Sequence, residues 1–309
     1  MIPYTEWGSP EYHDIFVYLR PETNGILVES ALLQVIHENE LYKKNVKLAY
    51  LANLPGDFIT NKKVIERHYK VKLYFTLHGK QAFTPYMKKS FEDYFHLGLE
   101  SAKVIGAFEA MKILDYDSDK LFNIWVERKN MFVINSQSVK KFDDLFIINY
   151  DIPAILNKNN NDTDIAVMLF RTNLDYVDFY GMIAKMEMAL KDKDILGDKM
   201  PVSRAFHYSK GPFEQLLDAR GYLYDSSGIS VPIESNSFYK YLISLGYSDL
   251  EIKKMIDYPI MRFCIAPGFE LEDDLKVYTA GDTYKEAADK ILQAKSQYLL
   301  DGTFSELSF

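Results

Sequence analysis

At 309 residues, 48% apolar and 26% charged, the chain has the composition of a folded globular protein and the length of one large domain or two ordinary ones. A net charge of −8 with no Lys/Arg-rich block removes the electrostatic footprint of a nucleic-acid binder. One cysteine, Cys264, excludes an internal disulfide and a thiolate zinc site. No leader pattern at residues 1–7 and no apolar run of about 18 residues together predict a cytoplasmic protein with no membrane partner.

In chain order, residues 15–19 read as a buried strand, and 26–38 as a helix with Leu27, Ala31, Leu32, Val35 and Ile36 at helical spacing. Residues 46–51 predict a second strand, 61–69 a short helix opened by Thr60, and 101–113 a third helix of apolar and small residues. A strand at 131–134 and a helix at 138–146 follow. The polar run Asn157-Lys158-Asn159-Asn160-Asn161-Asp162-Thr163-Asp164 has nothing to bury and predicts an exposed linker near the midpoint.

Beyond it the opening recurs. Asp164-Ile165-Ala166-Val167-Met168-Leu169 echoes Asp14-Ile15-Phe16-Val17-Tyr18-Leu19 at an offset of 150 residues, and a helix at 180–190 follows. Near the end, 276–283 running into a predicted helix at 285–300 echoes 131–139. Two echoes at similar offset point to an internal duplication. Strands alternating with helices give an α/β or α+β class with helices packed on a sheet.

Phosphate loops are absent: no Gly-x-x-x-x-Gly-Lys-Ser/Thr and no Gly-x-Gly-x-x-Gly occurs. Asp115, Asp117 and Asp119 alternate as in a calcium loop, but the turn glycine and closing glutamate are missing, so they read as solvated acids. The histidines lack metal-ligand spacing, and no metal is expected. The aromatic clusters Tyr176, Phe179, Tyr180 and Phe238, Tyr239, Tyr241 serve either as core filling or as interface anchors.

Several segments over residues 12–150 arrive in one order: Arg20-Pro21-Glu22, then Gly25-Ile26-Leu27-Val28, His68-Tyr69, Tyr86-Met87 after Phe83, Val104-Ile105 with Glu109-Ala110-Met111, and Met131 to Val139. This order resembles the nucleoside-diphosphate kinase family. Family chains carry Lys-Pro-Asp-Gly, Gly-Leu-Val, His-Tyr, Tyr-Met, Val-Val with Arg-x-Met, and Asn-x-x-His-Gly-Ser-Asp-Ser-Val. The resemblance implies a ferredoxin-like antiparallel sheet with helices packed on it. With the echoes it implies a tandem pseudo-dimer: a domain at 1–150, a linker at 151–163, and a diverged copy at 164–309.

The departures from the family pattern bear on mechanism. Ile134 stands at the position of the phosphate-accepting histidine, and Thr279 at the corresponding position of the second half. The family's phosphoryl transfer needs an imidazole nitrogen there. The arginine of Arg-x-Met has become Glu109, and the region around Asn123-Ile124-Trp125 lacks a second phosphate-facing arginine. Three readings therefore stand open. In the first, the chain is a catalytically inactive relative acting as a structural or protein-interaction module, with a protein partner or its own copy. In the second, it still binds ATP or GTP with magnesium through Arg20, Tyr86, Lys103 and Lys112, without phosphoryl transfer. In the third, it is an unrelated enzyme using His78 or His207 as acid or base; an alternative match, Pro55-Gly56-Asp57-Phe58 with Phe75 to Lys80, places His78 in a His-Gly pair.

Overall fold

The computed structural model describes residues 1–5, 12–197 and 204–307. They mix α and β structure, with strands β1 (His13–Leu19), β2 (Val46–Leu54), β3 (Lys103–Gly106), β4 (Met131–Ile134), β5 (Gln137–Phe142), β6 (Leu145–Ile148), β7 (Ile165–Thr172), β8 (Phe206–Tyr208), β9 (Ile260–Ala266), β10 (Phe269–Asp274), β11 (Ala294–Tyr298) and β12 (Phe304–Glu306). Among the described residues no helix is long and apolar enough to cross a membrane. Two compact units divide the chain: Met1–Val64, Asn159–Ile252 and Thr279–Asp289 form the first, and Ile65–Lys158, Lys253–Tyr278 and Lys290–Phe309 the second.

The first unit is built on the sheet β2-β7-β1-β8, in which every neighbouring pair is antiparallel. Its strands have period-two chemistry. Ile15, Val17 and Leu19 of β1 share a buried cluster with Ala166, Met168 and Phe170 of β7, while Asp14, Phe16 and Tyr18 belong to the opposite face. Two helices close the first face. Ile26–Glu38 contributes Val28, Ala31, Leu32 and Ile36, and Tyr176–Asp192, capped by the Asp175 side chain, contributes Phe179, Met182, Ile183 and Met186. Each such aliphatic or aromatic side chain taken from water stabilises the fold by about 1.5–3 kcal/mol. All eight residues of β7 are buried, so the second face is covered too. The helix Pro212–Tyr222 does part of this: its Tyr222 ring lies 4.4 Å from that of Tyr18, and the Tyr50 hydroxyl donates to the Tyr222 carbonyl.

The second unit holds the mixed sheet β3-β6-β5-β4 and the antiparallel sheet β10-β9-β11-β12. Phe75, Phe91, Phe132, Val139 and Phe146 share one core with Ile260 and Tyr298. Buried Glu272 of β10 ties this unit together, accepting from the Thr84 hydroxyl, from Asn135 Nδ2 at 2.9 Å and from Arg262 Nε at 3.1 Å. Gly106 ends β3 where a Cβ would stand 1.7 Å from the Thr76 carbonyl oxygen, so no other residue fits there.

Several expected elements take another form. Residues 138–146 form the hairpin β5–β6, turned at Asp143 with φ 53°, instead of a helix. Residues 101–113 divide at Gly106 into β3 and the helix Ala107–Leu114. The expected helix 285–300 stops at Ile291, and β11 follows; residues 276–283, which echo 131–139 in sequence, begin inside the helix Leu275–Tyr278. The echoing strands are not equivalents in two separate domains. They are antiparallel neighbours in one sheet, with Ile15 opposite Phe170 and Asp14 opposite Arg171. Neither compact unit follows the expected boundaries at 1–150 and 164–309, because each gathers several stretches of chain. The polar run at 157–164 packs onto the loop after β2, where a Cβ on Gly56 would lie 2.5 Å from the carbonyl oxygens of Asn160 and Asn161.

Candidate functional site

The covered face of the first unit's sheet carries its polar chemistry. Asp14 and Arg171 stand directly opposite across β1 and β7, and the guanidinium grips the carboxylate through Nε at 2.7 Å and Nη2 at 3.1 Å. Both side chains are buried. The Ser237 hydroxyl donates to Asp14 Oδ2 at 3.1 Å, and Arg171 Nη1 donates to the Thr5 carbonyl at 2.7 Å. The Tyr284 hydroxyl accepts the Asp14 N–H and donates to Gln215 Oε1 at 3.1 Å. A charge pair taken out of water holds only when its remaining valences are filled in this manner. Burial, with Asp14 adding to it, pushes the hydroxyls of Tyr4 and Tyr284 well above the ordinary tyrosine range.

Four residues further along β1, Tyr18 pairs in register with His207 of β8, and the two rings stack with centroids 4.5 Å apart. His207 Nε2 lies 3.5 Å from Asp218 Oδ2 and 3.6 Å from Glu214 Oε1, both carried by the helix Pro212–Tyr222. The Ser209 hydroxyl donates to Asp218 at 2.7 Å and accepts the Phe16 N–H at 3.1 Å. Burial lowers the His207 pKa to about 3, outweighing the attraction of Glu214. The imidazole is therefore neutral at pH 7. With Nε2 facing carboxylates, we assign its proton to Nε2, which leaves Nδ1 as the basic nitrogen.

The expected site residues are dispersed. Arg20 follows β1 in the first unit, with its guanidinium 5.6 Å from the Tyr18 ring centroid, beside the His207 cluster. Tyr86, Lys103 and Lys112 belong to the second unit and to three different elements: the helix Pro85–Phe95, β3 and the helix Ala107–Leu114. Lys103 and Lys112 are exposed, while burial and the charges of Glu272 and Asp273 raise the Tyr86 hydroxyl pKa. Ile134 is partly buried at the end of β4, ahead of a turn in which Asn135 and Ser136 have φ 48° and 63°. Thr279 is fully buried, and its carbonyl oxygen would be 2.3 Å from a Cβ on Gly211. His78 is exposed at the last turn of the helix Lys70–His78, its ring 4.5 Å from that of Tyr74.

Among the described residues no three His, Cys, Asp or Glu side chains stand close enough to share a metal ion. The Asp14–Arg171 pair and the Ser209–Asp218 contact lie outside the residues singled out from sequence. Their one signal was an acid in an otherwise apolar strand, Asp14 before Ile15-Phe16-Val17, which demands a cation opposite. Comparison with family models, with characterised proteins and with solved structures finds no match.

Proposed function

We propose that the chain is a nucleoside-diphosphate-kinase-like protein that has lost phosphoryl transfer and serves as a structural or protein-interaction module. On this reading the sheet β8-β1-β7-β2 is a ferredoxin-like scaffold, two strand–helix–strand stretches interleaved in one antiparallel sheet. The observation that supports it is that Tyr86, Lys103 and Lys112 stand on three different elements of the second unit, while Arg20 belongs to the first. Ile134 offers no nucleophile, and the buried Thr279 offers none that substrate can reach. The partner is a protein or a second copy of the chain.

A second reading draws on one specific observation, the neutral His207 beside Asp218 and Glu214 with Arg20 nearby. A neutral imidazole beside carboxylates has a free lone pair for nucleophilic attack, although burial that lowers its pKa to about 3 makes it a weak base. One experiment separates the two. The protein is incubated with γ-labelled ATP or GTP, magnesium and an acceptor diphosphate, and both nucleotide transfer and acid-labile label on the protein are followed. Neither is expected. Label that disappears in His207→Asn overturns the inactive reading and installs the second. Thermal unfolding with and without the same nucleotides addresses retained binding: a ligand at about 100 times its dissociation constant stabilises the native state by about 2.7 kcal/mol. A rise in melting temperature abolished by Arg20→Ala would mean that a nucleotide site remains.

A further inference from the structure

We propose that Asn24 is a self-modifying site, at which the chain converts its own side-chain amide to a carboxylate. Asn24-Gly25 is the one Asn-Gly dipeptide in the sequence. Covalent geometry places the Gly25 nitrogen to close a succinimide ring on Asn24 Cγ, and glycine carries no Cβ to obstruct the attack. Nothing in the fold crowds that space: a Cβ built on Gly25 meets no atom within 4 Å. Both residues are half-buried in the turn between β1 and the helix Ile26–Glu38, so water reaches them.

The fold adds a contact that activates the amide. At the start of β7 the Ala166 N–H donates to Asn24 Oδ1 at 2.8 Å. A fixed backbone N–H on a carbonyl oxygen stabilises the negative charge that develops there when a nucleophile adds, as in an oxyanion hole. Attack by the Gly25 nitrogen forms the N–Cγ bond. The Cγ–Nδ2 bond then breaks, and Nδ2 leaves as ammonia with the proton that Gly25 gives up. Water opens the succinimide at either carbonyl. One opening leaves an aspartate at position 24, and the other an isoaspartyl link in which the main chain runs through the side-chain carbonyl.

The product meets surroundings built for the amide. Asn24 Nδ2 points to Asn53 Oδ1 at 3.5 Å, Asn53 Nδ2 donates to Asp164 Oδ2 at 2.7 Å, and Asp164 Oδ1 accepts the Gly56 N–H at 3.1 Å. This run of contacts joins the turn after β1 to the end of β2 and the start of β7. A carboxylate at position 24 turns an acceptor toward the Asn53 oxygen and brings a second negative charge to the neighbourhood of Asp164. Asn53 cannot answer by reversing its amide, because its oxygen would then face Asp164. The modification therefore loosens the clasp at one end of the β2–β7 pair.

To test this, the whole protein is incubated at neutral and at mildly alkaline pH, and the product is followed by isoelectric focusing, ammonia release and fragmentation mass spectrometry. A more acidic species modified at residue 24 is expected, with equimolar ammonia. It should form faster at the higher pH, because the Gly25 nitrogen must lose its proton to attack. Asn24→Gln should abolish it, since the longer side chain closes its ring poorly. Circular dichroism checks that this variant folds; if it does not, Asn24→Ser, which keeps an acceptor for the Ala166 N–H and has no amide to lose, takes its place. Asn24→Asp made directly should focus with the acidic product and melt below fresh wild-type protein. Absence of the acidic species, modification of other asparagines with residue 24 intact, conversion of residue 24 only in urea, or an Asn24→Asp protein as stable as the wild type would overturn the proposal.

Discussion

The first unit buries both partners of an ion pair, whereas in the second the buried Glu272 is paired with an Arg262 side chain that stays 30% exposed, beside a cluster of phenylalanine rings. In the first, Asp14 and Arg171 face each other across the central strands of the sheet, and Ser237 and the Thr5 carbonyl add hydrogen bonds from elsewhere in the unit. In the second, Phe91, Phe95 and Phe146 pack in one hydrophobic cluster with centroids 4.8–5.1 Å apart. The contrast concerns how each interior specifies its arrangement. Rings gain from any close contact and lose by degrees when displaced. A buried ion pair is satisfied in one strand register and badly unsatisfied in the next, because a one-residue slip turns Asp14 to the opposite face.

The strongest break of this comparison is Arg171→Met. It strands the Asp14 carboxylate in a dry site and should cost about 3–5 kcal/mol in urea unfolding, against about 2 kcal/mol for Phe91→Leu in the other unit. Asp14→Leu combined with Arg171→Met should recover most of the loss. If the single and double variants cost the same, the pair is not the source of the penalty.

Acid sharpens the contrast, because the two units carry groups of opposite sign. His207, lowered to about 3 from 6.5, stays neutral in the native state while its unfolded counterpart takes a proton. Between those values the unfolded chain binds more protons, so stability falls as pH falls from about 6.5 towards 3, at about 1.4 kcal/mol per unit. His207→Gln should flatten that limb of a stability–pH curve. A smaller effect of the opposite sense comes from Asp273, whose pKa burial raises from 3.8 to about 6. There the native state holds the proton longer, and its contribution to stability is lost as pH rises from about 4 to 6. Asp273→Asn should therefore raise the melting temperature at pH 7 and leave it little changed at pH 4.

Local structure was legible wherever one period dominated. The apolar run 15–19 predicts a strand, its echo at 164–169 repeats the pattern, and β1 and β7 form; the spacing in 26–38 predicts a helix, and Ile26–Glu38 forms. Residues 138–146 misled because Val139, Phe142, Leu145 and Phe146 also satisfy helical spacing, and only the turn at Asp143 breaks it. Pairing was not legible at all. Similar strands suggest copies, whereas the structure uses the likeness of β1 and β7 to make them neighbours, since two central strands buried on both faces have the same composition. Of the candidate site, His207 could be named from sequence. Asp218 and Glu214 could not be tied to it, because their approach depends on how the helix Pro212–Tyr222 covers the sheet.

The interleaving of the units has a consequence in time. The strand β2 ends at Leu54 and its partner β7 begins at Ile165, so a chain emerging from the ribosome offers half of the first sheet long before the other half exists. Nor can the second unit finish early, since its sheet β10-β9-β11-β12 draws on residues up to Glu306. The first sheet thus waits for Tyr208, and the second unit for the last fifth of the chain. Synthesis leaves β1 without its neighbours β7 and β8 over the first of these intervals, and the nascent protein depends on protection from association for as long as those strands remain unmade.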